Sequence, residues 1–417
     1  VTRSAVLSRI VHEGLDRPPE RFPAPGRGQP WWEALPTDFA ERPERFRLGP
    51  FDRARVAVTS ASDVALRTAG ACLVGATALP AGYHPLELAR AFGELDFYAA
   101  IAERQRREAF FAAPPRVHVE HQPMSRSPLA GLFRPEDGVA EELRFESPFV
   151  PVSPRQRPRW EGHPRNRQAH ARIFRHRGAA RPTVIAVHGF SADLYHVNEW
   201  FFSIPWLYAA GYDVLLVTLP FHGPRQLKGS PFSGFGFFSG GPAAINEAFA
   251  QGVFDIRIWI RYLLEELGAP KVGVTGVSLG GFTAALLAAV EPKLAFAVPN
   301  VPVVSIADLV LEWEPIGSVV RAALALSGRS LTDARRLLAP SCPLTWQPVL
   351  PRERLFVIGG VGDRLAPPSH SRLLWEHWDR CRLHWFPGSH LVHLDRGQYF
   401  RQLRLFFADI GFAPRPR

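Results

Sequence analysis

The chain has 417 residues, 46% of them hydrophobic and 21% charged, enough to bury a core without disulfide staples. At roughly 100–200 residues per domain, this length fits two or three domains, or one large domain with an extension. The composition excludes collagen, coiled coil and wholesale disorder, and the three cysteines (Cys72, Cys342 and Cys381) form no C-x-x-C pair, so neither a disulfide framework nor a thiolate zinc site is indicated.

Lysine and arginine number 49 against 39 acids, a net charge of +10. Most of that excess is local: residues 151–180 hold eight arginines and a single acid, Glu161. The remainder is close to neutral, which argues against a globally basic protein with nucleic acid as its partner. The only lysines are Lys228, Lys271 and Lys293, a bias that fits a GC-rich genome better than selection for phosphate contacts. Val1 to Glu20 contain no apolar signal region. Val64 to Ala81 is the best membrane candidate, but Asp63 borders it and Arg67 interrupts it, leaving too short an apolar run to span a bilayer. The expectation is a soluble, cytoplasmic protein without a transmembrane segment.

In chain order, residues 1–55 are rich in Pro, Arg and Trp and read as an irregular arm. Between Ser60 and Phe111 the pattern is helical: Leu86, Leu88, Ala89, Phe92, Leu95 and Tyr98 recur mostly at spacings of three and four, with Pro85 near a helix start. Residues 1–138 are therefore read as an N-terminal arm and helical extension, and 139–417 as the main domain. Strands are expected at Glu142–Phe149 and His170–His176, separated by Arg-rich sequence that belongs to a segment spanning 155–177 and running on through the second strand. Further strands follow at Thr183–Val187, Asp213–Thr218, Lys271–Thr275, Ala295–Pro299, Leu355–Ile358 and Arg382–Phe386. Most of the later ones are continuous apolar runs, as expected of strands buried on both faces. Helices are expected at Phe254–Leu267, Gly280–Val290 and Ser369–Trp378. This alternation specifies an α/β fold: a doubly wound, mostly parallel, eight-stranded sheet. The segment Ser305–Leu350 interrupts it as a helical insertion of the kind that caps an active site.

The sharpest motif is Lys271–Phe282, KVGVTGVSLGGF, in which an apolar strand enters Gly276-Val277-Ser278-Leu279-Gly280 and then a helix. This is a G-x-S-x-G nucleophile elbow in its strand–turn–helix context. Gly276 and Gly280 supply small neighbours for the turn, and the helix start directs N–H groups toward a developing anion. Upstream, Val184–Phe190 ends a strand in His188-Gly189. The amide of Phe190, with that of Leu279, is placed to form an oxyanion hole; the His188 imidazole is read mainly as shaping the turn. A serine nucleophile needs a base and an orienting acid, in the chain order serine, acid, histidine. Asp363 follows the strand Leu355–Ile358, and His390 follows Arg382–Phe386. The competing candidates are Asp308 for the acid and His393 for the base, while His384 lies within a strand.

On these motifs, from about residue 139 to 412, the chain resembles an α/β-hydrolase-fold serine hydrolase, similar to esterases, lipases and related peptidases. The helical extension and the turn Pro220-Phe221-His222-Gly223 resemble the alpha/beta-hydrolase-domain-18-like group, whereas the HGGG loop of lipases is absent. The expected function is ester hydrolysis through Ser278, His390 and Asp363, with a peptidase, an acyltransferase or a catalytically idle scaffold as alternatives. Phe221–Phe249 is read as an aromatic, Gly-rich loop at the carboxyl ends of the strands. His188, Phe221, His222, Phe235 and Phe238 are the candidate substrate-binding residues, facing a small-molecule or polymeric ester with apolar or aromatic groups. No metal or other cofactor is implied: His163, His170 and His176 lack a convincing ligand set, and neither a Walker nor a Rossmann fingerprint occurs. The Arg-rich stretch is read as a solvated connection, and the oligomeric state is left open.

Overall fold

Thr183–Val187 and Asp213–Val217 are buried at every position, so both faces of these strands must be covered, as a parallel sheet between helices allows. The computed structural model describes residues 10–13, 28–39, 42–78, 89, 92–125 and 131–414. Two short strands, β1 (Val11–Glu13) and β2 (Arg45–Arg47), pair antiparallel with each other. The main sheet comprises β3 (Glu120–Pro123), β4 (Gly138–Glu146), β5 (Gln168–His176), β6 (Thr183–Val187), β7 (Asp213–Val217), β8 (Val272–Val277), β9 (Leu294–Asn300), β10 (Phe356–Gly360) and β11 (Arg382–Phe386). Its order is β11-β10-β9-β8-β6-β7-β5-β4-β3. Strands β6 to β11 run parallel, while β3, β4 and β5 form an antiparallel flank.

The sheet has nine strands rather than the expected eight. The additional strand, β3, is exposed at all four positions, so it carries no apolar alternation that a sequence pattern could reveal. Its ladder to β4 holds it at the edge. The β4 boundaries also shift, to Gly138–Glu146, because its register is set by nine-residue pairing with β5. The Arg-rich connection between them contains short helices at Arg157–Glu161 and Pro164–Arg167.

Successive side chains of the central strands enter opposite cores. Ile185, Val187, Leu215 and Val217 face one, and Val184, Ala186, Val214 and Leu216 the other. The first core receives Trp31, Trp32, Leu35 and Phe39 from the N-terminal region.

The main helices are α1 (Pro50–Ala78), α2 (Leu95–Glu103), α3 (Gly241–Glu265), α4 (Leu279–Val290), α5 (Ile306–Leu311), α6 (Ile316–Ser327), α7 (Leu331–Leu338), α8 (Pro368–His377) and α9 (Arg396–Asp409). Helix α1 begins inside the stretch read as an irregular arm. Its leading proline is tolerated because the missing N–H lies in the first turn, where it would have no helical partner. Residues 85–88 of the expected amphipathic helix lie outside the described residues. Beyond them, Phe92–Glu94 is a 3-10 turn, and Leu95 and Tyr98 of α2 are buried against the first core.

Helix α3 starts at Gly241, not Phe254, so the end of the supposed aromatic loop is helical. It escapes periodicity because it is buried nearly all round: Asn246, Glu247, Gln251 and Asp255 are interior along with its apolar residues. The insertion between β9 and β10 is helical, as expected, and it is tied to the N-terminal region. Arg335 Nη1 donates to Leu35 O at 2.6 Å, and Trp31 Nε1 donates to Thr345 Oγ1 at 2.9 Å. Among the described residues no helix is long and apolar enough to cross a membrane.

Candidate active site

Ser278 sits at the junction of β8 and α4 with φ 56° and ψ −114°. For a residue with a Cβ, such a conformation costs on the order of 1–3 kcal/mol and persists only where the surroundings over-determine it. Here Ser278 N donates to Asn300 O at 3.0 Å, and Ser278 O accepts from Phe282 N at 2.9 Å. The flanking glycines serve close approach rather than unusual torsions. A Cβ on Gly280 would lie 2.0 Å from Val187 O, and one on Gly276 would lie 2.2 Å from Gly280 O. Gly280→Ala is therefore expected to destabilise the fold by about 1–3 kcal/mol, as overpacking does. The measurement is a lower urea midpoint at unchanged slope.

Backbone hydrogen bonds continue beyond the strands and align their carboxyl ends. Val301 N donates to Ile358 O at 2.8 Å, Val361 N to Phe386 O at 3.1 Å, and Gly362 N to Gly388 O at 2.7 Å. Asp363, after β10, and His390, after β11, consequently emerge side by side on the edge that carries Ser278. His390 Nδ1 lies 2.7 Å from Asp363 Oδ2, with both side chains buried. Asp363 Oδ1 accepts from Leu365 N at 2.9 Å and Ala366 N at 2.7 Å. Assigned from this network, the ring proton sits on Nδ1 and Nε2 is the basic nitrogen. Among the described residues no hydrogen bond joins the Ser278 hydroxyl to His390; without substrate such contacts are often loose and tighten in the Michaelis complex.

Burial pushes the His390 pKa down, but the charge and hydrogen bond of Asp363, with the charge of Asp63, outweigh it and hold the ring above its ordinary 6.5. Burial pushes the Asp363 carboxyl up, opposed by His390 and by the Ala366 N–H. A histidine serving as general base must be neutral, so in that role His390 is expected to make kcat/KM fall as pH drops through a midpoint above the unperturbed 6.5. A pH–rate profile measures this directly.

The loop after β6 passes beside the serine, since a Cβ on Gly189 would be 3.5 Å from Ser278 Cβ. Among the described residues, no backbone carbonyl takes the amide of Phe190 or of Leu279. His188 Nδ1 bonds Gly189 O at 2.7 Å, and His188 Nε2 accepts from Leu219 N at 3.0 Å. Nε2 thus ties the end of β6 to that of β7 and Nδ1 is held by its own loop, which leaves neither for a substrate.

Phe221 is fully buried, with its N–H on Asn166 Oδ1 at 2.9 Å and its ring against Trp160. It is a core residue rather than a pocket wall. His222 is also fully buried, bonding Pro220 O through Nδ1 and packing on Phe190. Phe235 and Phe238 are half-buried. Phe238 packs edge-on against Phe190 at 5.1 Å between centroids, and Phe235 reaches it through Phe232.

The competing acid and base are occupied elsewhere. Asp308 is buried in a two-pronged pair with Arg335 and also takes the Ser305 hydroxyl. His393 Nε2 lies 3.1 Å from His390 O, and burial pushes its pKa down to about 3. Burial likewise pushes His384 down to about 4. His176 is bonded to Asp213 at 2.8 Å and stacked on Tyr208. Among the described residues no group of three or more His, Cys, Asp or Glu side chains could hold a metal ion.

The arginines of the stretch 155–177 are structural contacts in part: Arg172, within β5, is buried between Glu142 and Glu199, and Arg167 pairs with Glu146. A cleft of about 340 Å³ on this antiparallel flank is lined by Arg144, Arg165 and His170 and lies apart from the candidate catalytic groups. Sequence reasoning missed Asp63, noted only as the border of an apolar run. It is fully buried and accepts the His390 N–H at 2.8 Å. The available signal was the spacing of Val56, Ser60, Asp63 and Arg67, one stripe of a helix.

Residues 182–301 match a family model described as the alpha/beta hydrolase fold. Two uncharacterized proteins of Mycobacterium tuberculosis, from strains CDC 1551 and H37Rv, are each 28% identical over 336 residues, spanning 78% of this chain and 75% of theirs. Among solved structures, acetyl xylan esterase 1 from Thermoanaerobacterium sp. JW/SL YS485 is similar with a TM-score of 0.51 at 17% identity, over 76% of this chain and 93% of that one. An acetyl xylan esterase from Paenibacillus sp. R4 gives 0.50 at 15% identity, over 76% and 94%. The chain has the α/β-hydrolase fold.

Proposed function

We propose that the protein is a serine hydrolase that cleaves carboxylic esters bearing apolar or aromatic groups. The observation that carries this reading is the buried His390–Asp363 bond of 2.7 Å on the edge where Ser278 occupies its strained elbow. Ser278 Oγ attacks the ester carbonyl as His390 Nε2 takes its proton. Asp363 holds the ring in that tautomer and stabilises the imidazolium. The amides of Phe190 and Leu279 receive the oxyanion, each such donor being worth about 2.7–4 kcal/mol of barrier. His390 returns the proton to the departing alcohol, and water then attacks the acyl-enzyme by the same base to release the acid. In this reading residues 1–138 are an extension on the catalytic domain 139–417, and residues 305–350 are its cap. The half-buried Phe190, Phe235 and Phe238 supply the apolar wall.

The test is to treat the protein with a serine-reactive phosphonate, map the adduct, and compare p-nitrophenyl esters of increasing acyl length with a p-nitroanilide. An adduct on Ser278 with ester turnover is expected. Labelling with preferential anilide cleavage would make it a peptidase. Absence of both adduct and turnover would leave a hydrolase-like scaffold.

A further inference from the structure

Helix α1 lies against the two loops that carry the acid and the base. Four of its side chains, Val56, Ser60, Asp63 and Arg67, fall at spacings of four, three and four and so share one face. Ser60 Oγ donates to Gly362 O at 2.8 Å, and Arg67 Nη1 donates to Arg364 O at 3.3 Å. A Cβ on Gly362 would meet Ser60 Oγ at 2.5 Å and Val56 Cγ1 at 2.9 Å, so this loop is shaped to receive the helix. At the centre, Asp63 is fully buried. Its Oδ2 accepts from Arg364 N at 3.0 Å and from His390 N at 2.8 Å, while Oδ1 faces Leu391 N at 3.5 Å. One carboxylate oxygen therefore clamps the loop after β10 to the loop after β11, next to the residues that bear the proton relay.

We infer that Asp63 is a positioning residue for the reaction, and that α1 is a working part of the active site which holds the His390 loop against the Asp363 loop. This rests on the roles given above to Ser278, His390 and Asp363. The physical argument is one of register. Gly362 N already ties the two loops at Gly388 O, two residues before His390, and the shared acceptor for Arg364 N and His390 N adds a second tie at His390 itself, set from a third element. A buried carboxylate suits this task because it accepts several N–H bonds at once, and charge-assisted bonds are roughly twice as strong as neutral ones. Its charge also acts on the ring. The titratable and charged groups around His390 are Asp363 from the loop after β10, Asp63 from α1 and His393 from its own loop, with Arg67 and Arg364 beyond Asp63. Of these, Asp363 and Asp63 favour the imidazolium.

The test uses the full chain and two variants. Asp63→Asn keeps an oxygen that can accept from both Arg364 N and His390 N but removes the charge. Its kcat above the acid limb is expected within a few-fold of the parent, while the limb moves to lower pH by about half a unit or more, as loss of a nearby opposite charge requires. Asp63→Ala removes both, and kcat is expected to fall by about 10–100-fold with little change in KM, the scale of a small misplacement of a catalytic group. A role confined to folding stability would lower the melting temperature of either variant without moving the limb or the kcat of the folded fraction. The proposal is overturned if Asp63→Asn leaves the acid limb in place and a folded Asp63→Ala retains kcat. If Asp63→Ala does not fold, the limb of Asp63→Asn decides.

An NMR titration of 13C-labelled histidine rings, with His390 assigned by its loss in His390→Gln, separates this from the reaction itself. A lowered His390 midpoint in Asp63→Asn, in a protein that cleaves neither the esters nor the anilide, would support the Asp63 contact and sink the hydrolase reading. Turnover by the parent with an unmoved midpoint and limb in the variant would do the reverse.

Discussion

Ser278→Ala is expected to lower kcat for ester hydrolysis by about 10⁴–10⁶-fold, the range found when the nucleophile of a serine triad is removed. On the scale of 1.36 kcal/mol per tenfold in rate, this is about 5–8 kcal/mol of barrier. The loss concentrates in kcat because the hydroxyl forms its bond only as the transition state is reached, whereas the proposed aromatic wall would bind the ground state as well. KM should therefore change little, and phosphonate labelling should vanish. The substitution removes one atom and leaves the elbow torsions, the Ser278 N to Asn300 O bond and the α4 start as they are, so a shift of the thermal midpoint is not expected. A variant that kept its esterase rate would remove the elbow from the chemistry altogether. Any remaining turnover would then have to be traced to another nucleophile by mapping a covalent adduct.

Asp363→Asn is expected to cost about 10⁴-fold in kcat, through the tautomer of the base rather than through folding. The asparagine oxygen can still accept from Leu365 N and Ala366 N, which the carboxylate does at 2.9 and 2.7 Å. The loop is thereby kept. The amide nitrogen then faces His390 Nδ1 as a donor, so Nδ1 must accept and the ring proton moves to Nε2. In that state Nε2 carries a hydrogen and cannot take one from Ser278. Labelling by a reactive phosphonate should slow by a comparable factor while still occurring on Ser278, and this distinguishes a misdirected base from a missing nucleophile. A near-normal rate would mean that Asp363 is not the orienting acid. Asp308 is a poor replacement, because its two oxygens are committed to Arg335 and Ser305.

The candidate site was legible where its information is local in the chain. Lys271–Phe282 contains the strand, the bend and the helix within twelve consecutive positions of the sequence, and the clash that Gly276 avoids, with Gly280 O, is a consequence of that same short path. The order of Ser278, Asp363 and His390 was also open to reading, because each follows an apolar run long enough to be a buried strand. The substrate-binding candidates fared less evenly. Glycine-rich, aromatic composition drew attention to Phe221–Phe249, yet composition does not report burial, and Phe221 and Phe237 proved to be core. The glycines Gly240 and Gly241 read as loop residues, although a Pro and a Gly are compatible with the first turn of α3.

By itself, the sequence determined that this is an alternating α/β chain with a serine elbow followed in order by an acid and a histidine, since periodicity and turn chemistry act over a few residues. Only the tertiary structure decided the rest: the exposed edge strand β3, the all-round burial of α3, the pairing of His390 with Asp363 rather than with a competitor, and the reach of Asp63 to a backbone 327 positions away. A pattern along the chain shows which face of an element is apolar, but not which distant element will cover it. That choice is made when packed cores, buried hydrogen bonds and loop lengths must all be satisfied together.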